Sequence, residues 1–180
     1  KASNNDQWGI VDLHGNTIAE FIYDDIGEYH DGLVLASIDG KYGYLNEAGV
    51  QKIPVKYLFN SKLLATGNFT NGFVLLRTKY KTLLADTSGA VINFPGIEQY
   101  GLPGEGFVPV MKNKKWGYAD MTGKMKILPK YDFVESFKDG LALVKVKGFF
   151  GLIDTAGTMV IQPIYDNVIS HGNFVVVVKD

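Results

Sequence analysis

The sequence predicts an all-β protein of five tandem repeats, each about 34 residues long and built of three short antiparallel strands. Three observations carry that reading. First, one turn pattern recurs at Asp12-Leu13-His14-Gly15, Asn46-Glu47-Ala48-Gly49, Asp86-Thr87-Ser88-Gly89, Asp120-Met121-Thr122-Gly123 and Asp154-Thr155-Ala156-Gly157. Its glycines lie 34, 40, 34 and 34 residues apart, and a fixed period of that size marks a repeat array. Second, no segment carries apolar residues at helical spacing over about 11 positions, so no amphipathic helix is expected. Third, short apolar runs alternate with turn-forming residues throughout, as strands of a meander do.

The elements follow in order within one copy. Residues 140–145 (Gly-Leu-Ala-Leu-Val-Lys) read as a first strand, and Lys147-Gly148 supplies the left-handed backbone of a tight hairpin. Phe150-Gly151-Leu152-Ile153 opens a second strand, closed by Asp154 to Gly157. An Asp or Asn opening such a turn bonds back to the main chain, and the glycine three residues on takes positive φ. A third strand follows at 159–161, ended by Pro163 and Tyr165-Asp166, since proline donates nothing to a ladder.

The same strands fit the other copies. First strands fall at 33–37, 73–77, 107–111 and 174–178, and second strands open on Trp8-Gly9, Tyr42-Gly43, Thr82-Leu83 and Trp116-Gly117. The hairpin positions hold Asn5-Asp6, Asp39-Gly40, Lys79-Tyr80 and Asn113-Lys114. A ring at the start of strand two can cover the next repeat's sheet, and the glycine beside it admits close approach of another chain segment.

These units resemble the WG repeat family, also called KWG repeats. Their signature runs from a Gly-Leu strand through Lys-Trp-Gly-Tyr and Asp-x-x-Gly to Pro-x-Tyr-Asp. Lys115-Trp116-Gly117-Tyr118-Ala119-Asp120, Pro129-Lys130-Tyr131-Asp132 and Pro163-Ile164-Tyr165-Asp166 match it best. The resemblance implies a bacterial β-repeat protein and carries no particular enzymatic activity with it. Copy three departs from the pattern: Thr82-Leu83 replaces aromatic and glycine, Ile97 replaces the tyrosine, and the spacing lengthens.

Residues 1–180 are expected to form a single array. It starts at strand two and stops after strand one, so residues 174–179 are expected to pair with the strand holding Trp8, Gly9 and Ile10. That closes a small five-bladed propeller-like ring, with N- and C-terminal strands completing one blade. An open twisted β-meander solenoid is the alternative. Closure also hides the Val175-Val176-Val177-Val178 edge, which would otherwise invite self-pairing. The chain begins Lys1-Ala2-Ser3 rather than with Met, the start expected of a piece of a longer protein.

Composition narrows the function. The formal net charge is −1, and Arg77 is the only arginine. Nucleic acid is therefore not an expected partner, because its binding rewards clustered positive charge. With no cysteine, thiol chemistry and disulfides are excluded. No apolar run approaches the roughly 18 residues of a membrane-spanning helix.

No cofactor or metal is expected. His14, His30 and His171 share no i, i+4 spacing. Asp12, Asp86, Asp120 and Asp154 recur in register, but one carboxylate per turn falls short of the six to eight oxygens that calcium takes. Carboxyl pairs suited to glycoside cleavage exist in principle at Asp24-Asp25, Asp132 with Glu135, and Glu98 with Glu105. The Tyr-Asp acids, however, recur with the repeat and are expected to bond backbone amides. The chain is read as no enzyme.

What remains is recognition. In repeat proteins equivalent loops form one binding face, and copy three breaks the consensus with Arg77, Lys79, Tyr80 and Lys81 in a basic aromatic hairpin. Beside it the reading places the longer 57–69 connection and the 96–106 loop with Tyr100. The expected function is a non-catalytic module for protein contacts in a bacterial envelope or secreted protein. The alternative is carbohydrate or cell-wall binding through exposed Tyr29, Tyr80 and Tyr100.

Overall fold

The computed structural model describes residues 2–4, 6–58, 69–171 and 174–179. The protein is all-β, with no helix among the described residues, and every sheet is antiparallel. It divides into two compact units, residues 1–92 and 93–180.

The first unit holds three sheets. Sheet A is β1 (Ala2–Asn4), β2 (Gln7–Val11) and β3 (Thr17–Tyr23), and sheet B is β4 (Asp25–His30), β5 (Leu33–Ile38), β6 (Lys41–Asn46) and β7 (Gln51–Leu58). Sheet C is β8 (Phe73–Arg77), β9 (Thr82–Asp86) and β10 (Val91–Ile92). The second unit begins with sheet D, made of β11 (Gln99–Tyr100), β12 (Phe107–Lys112), β13 (Lys115–Asp120) and β14 (Met125–Tyr131). Sheet E follows with β15 (Phe133–Val134), β16 (Leu141–Val146), β17 (Phe149–Asp154) and β18 (Met159–Tyr165), and a hairpin of β19 (Asn167–His171) and β20 (Phe174–Val178) ends the chain.

Two expectations are corrected here. The full repeat has four strands, not three, because the residues after Tyr-Asp form an outer strand that precedes the expected first one. That strand turns into its neighbour at Asp31-Gly32, Glu105-Gly106 and Asp139-Gly140. All six residues take positive φ, the requirement of a two-residue hairpin whose twist matches its strands. Closure differs as well. β1 pairs with β2, setting Ser3 opposite Trp8, and β3 takes the other edge of β2. Both edges are thus filled by neighbouring sequence, and β20 pairs with β19.

The aromatic-glycine motif is explained by the third strand. Trp116 pairs with Tyr131 but Tyr118 with Ile127, so β14 bulges opposite Gly117. A Cβ on Gly117 would lie 2.4 Å from the Ile127 carbonyl oxygen and 2.7 Å from the Pro129 nitrogen. Gly43 and Gly151 are held equally close to the carbonyls of Ile53 and Ile161. Pro54, Pro129 and Pro163 therefore sit within β7, β14 and β18, where the bulge removes the need for a ladder N–H. Proline does not end the third strand, as the sequence suggested; it marks the bulge.

Copy three lacks that device. A leucine side chain at residue 83 would collide with a bulged strand, and β10 accordingly stops at Ile92. The chain then leaves the sheet at 93–98.

Apolar cores lie between consecutive sheets. Tyr23, Ile26, Ala36 and Leu45 fill the A–B space with Trp8 against them. Tyr42, Tyr44, Tyr57, Val74 and Leu76 fill B–C, and Tyr118, Tyr131, Val144 and Ile153 fill D–E with Trp116 alongside. Trp8, Tyr42 and Trp116 thus pack into these cores, whereas Phe150 meets Phe133 of its own sheet.

Candidate functional site

The recurrent turn acids are consumed by their own turns. Asp120 Oδ1 accepts from the amides of Thr122 at 2.9 Å and Lys124 at 3.0 Å, and Gly123 takes φ of 88°. Asp12, Asn46, Asp86 and Asp154 accept in the same way from residues two and four ahead. The Thr122 hydroxyl and these amides lower the Asp120 carboxyl to about 2. No group of three His, Asp or Glu side chains is arranged to hold a metal ion among the described residues.

The Tyr-Asp acids are equally committed. Asp24 Oδ2 accepts from the Asp39 amide at 2.6 Å and Asp132 Oδ2 from the Lys147 amide at 2.7 Å. Each latches the tight hairpin of its own sheet, where Asp39 and Lys147 hold φ near 50°. Glu98, in the place of that acid in copy three, reaches the Asn113 amide at 2.8 Å. Asp132 also pairs with Lys115, whose ammonium, together with the Lys147 amide, holds the carboxyl below its usual range. Asp25 accepts from Ile26 N, and Glu105 from Gly140 N. Of the carboxyls weighed for glycoside cleavage, Glu135 is exposed and the others are tied to backbone amides.

The copy-three hairpin is built differently from its counterparts. Where Asp39-Gly40 and Lys147-Gly148 make two-residue turns with positive φ, Arg77 pairs with Thr82 across the four residues 78–81. Thr78 organises this loop. Its hydroxyl donates to the Lys81 carbonyl at 2.8 Å and accepts from the Lys81 amide at 3.0 Å. The loop presents Tyr80 at 86% exposure, with Lys79 Nζ 5.5 Å from the ring centroid. Arg77 is exposed at the hairpin's base, and its amide donates to the hydroxyl of Tyr42 in sheet B at 3.4 Å. The motif ring of one repeat thereby braces the hairpin of the next.

Arg77, Lys79, Tyr80 and Lys81 are therefore brought together. Tyr100 is not part of such a surface: it is 2% exposed, and its hydroxyl accepts from the Phe94 amide at 2.5 Å. It occupies the repeat position of Ile26, Val134 and Val168, all buried. Tyr29 is 52% exposed, as expected of it. Residues 59–68 of the longer connection, and the side chain of His171, lie outside the described residues.

The family model described as WG containing repeat matches residues 8–42, 116–148 and 150–180. No curated protein matches the chain.

Proposed function

We propose a function from one premise: the chain belongs to the WG-repeat family, and it works as a non-catalytic module that binds a protein partner through the copy-three hairpin. The observation that carries this is Tyr80, a large ring at 86% exposure on a loop pinned by Thr78 and flanked by Lys79 and Arg77. Tyr and Arg are the side chains that dominate binding hot spots. The engagement of the carboxyls by backbone amides supports a non-catalytic role. The net charge of −1 supports a protein rather than a nucleic acid as partner. Its place, on this proposal, is a bacterial envelope or secreted protein.

The test is site-specific photocrosslinking in the producing cell, with Tyr80→p-benzoylphenylalanine and, as a control, the fully exposed Leu13 replaced likewise. A discrete protein adduct at 80 and none at 13 is expected, and Tyr80→Ala is expected to weaken the isolated complex by about thirtyfold or more. Absence of an adduct, with saturable retention on insoluble peptidoglycan or polysaccharide that Tyr80→Ala abolishes, overturns the reading in favour of carbohydrate.

A propeller-like ring of the sheets belongs to the same proposal, supported by the four strands of sheets B, D and E, the size of a propeller blade. Small-angle scattering decides it. A ring gives a radius of gyration near the compact expectation of about 16 Å. An open stack of sheets about 10 Å apart gives about 20 Å and overturns it.

A further inference from the structure

We propose that the cleft between sheets A and B is a docking site for a tyrosine of a partner protein, flanked in that partner by lysine or arginine. The proposal rests on the reading of the chain as a protein-binding module, and it assigns that module a second surface.

The argument starts from the residue that follows the aromatic-glycine pair. In two copies it is tyrosine, and there the ring fills the space between successive sheets. Tyr118 is 0% exposed, lies 4.7 Å from the Phe137 ring and donates to the Glu135 carbonyl at 2.6 Å. Tyr44 packs edge-on against Phe69 at 5.1 Å. In two other copies the residue is aliphatic, and a cleft opens at the same place. Ile10, with Ile26 and Val34, floors a cleft of about 540 Å³, and Leu152 with Val168 lines another of about 490 Å³.

The A–B cleft keeps the remaining parts of the tyrosine socket. Tyr29 holds the repeat position of Phe137. Phe137, packed on Tyr118, is 3% exposed; Tyr29, without such a ring to meet, is 52% exposed. Gly27 holds the position of Glu135, whose carbonyl receives the Tyr118 phenol, and it lines the cleft. β4 bulges between Ile26 and Tyr29, the kind of local distortion that re-aims side chains at binding sites. A visiting tyrosine finds there an apolar floor, an aromatic wall and a carbonyl acceptor.

Charge selects its neighbours. Glu28 and Glu47 stand among the described lining residues, which include no Lys or Arg; His30 Nε2 lies 3.5 Å from Glu28, and Glu47 Oε2 lies 3.5 Å from the Tyr29 hydroxyl. An acidic rim favours a basic flank in the partner. The Leu152 cleft has Lys138 among its acids and lacks that bias.

The test titrates acetyl-Lys-Tyr-Lys-amide and acetyl-Lys-Ala-Lys-amide into the isotope-labelled chain, followed by amide chemical shifts. Saturable shifts at Ile10, Ile26 and Gly27 are expected with the tyrosine peptide alone. Ile10→Tyr, which copies Tyr118, is expected to fill the socket, weaken binding by about tenfold or more and raise the melting temperature. Glu47→Gln leaves the floor intact and is expected to weaken binding severalfold. Equal shifts with the alanine peptide, undiminished binding by Ile10→Tyr, or shifts produced by cellotetraose and not by the peptide would each overturn the proposal. An adduct at Tyr80 without cleft shifts overturns this inference alone, and cleft shifts without an adduct overturn the hairpin reading alone.

Discussion

Gly117→Ala is expected to destabilise the protein by about 3 kcal/mol, a fall of roughly 6 to 12 °C in melting temperature for a chain of this size. The atoms that the new methyl would meet, at 2.4 Å and 2.7 Å, belong to the backbone of β14, so no rotamer change relieves the overlap. The third strand must withdraw from its bulge, which loosens the Trp116–Tyr131 pairing. Gly106→Ala is the control. Nothing lies within 4 Å of a Cβ there, and only the φ of 81° opposes alanine, a cost of about 1 kcal/mol. Thermal melts of the two variants check the prediction, and equal losses would refute close approach as the reason for the motif glycine.

The contrast between those glycines also explains which parts of the fold were legible. The Asp-x-x-Gly turns could be read because each residue type answers a local demand: an oxygen for two amides and a backbone free to take positive φ. The fourth strand left a signal of the same kind in Asp31-Gly32 and Asp139-Gly140, but the outer strand is only two residues long in β11 and β15, too short for any alternation to show. Proline misled for a physical reason. It normally stops a strand by lacking a donor, yet the bulge opposite Gly117 leaves no acceptor waiting for one. Tyr100 was misplaced in consequence, because a residue of an unseen strand looks like an exposed loop residue. The hairpin at Tyr80 was visible as a break in the repeat. The A–B cleft was not, since its meaning depends on Tyr118 filling the equivalent space in another copy, a relation that only packing reveals.

That relation makes Tyr118 the residue on which the D–E interface turns. Tyr118→Ala is expected to cost about 4 kcal/mol, because the ring meets both Phe107 and Phe137 and is wholly buried. Tyr118→Phe keeps the packing but leaves the Glu135 carbonyl without its donor, a loss of about 1.5 kcal/mol. The hydroxyl adds a dependence on pH. Burial raises the Tyr118 phenol above its ordinary value near 10, so folding favours the protonated form. Stability from that preference is fully present below about pH 10 and is lost as pH rises toward the folded-state value. Phenylalanine has no proton to lose. Urea titrations followed by tryptophan fluorescence should therefore show the Tyr118→Phe deficit in full at pH 7 and shrinking above pH 10, whereas the Tyr118→Ala deficit falls by the same amount and, dominated by the cavity, stays the larger. A phenylalanine deficit that stayed constant through that range would mean that burial between the two sheets does not raise the Tyr118 phenol above its unfolded value.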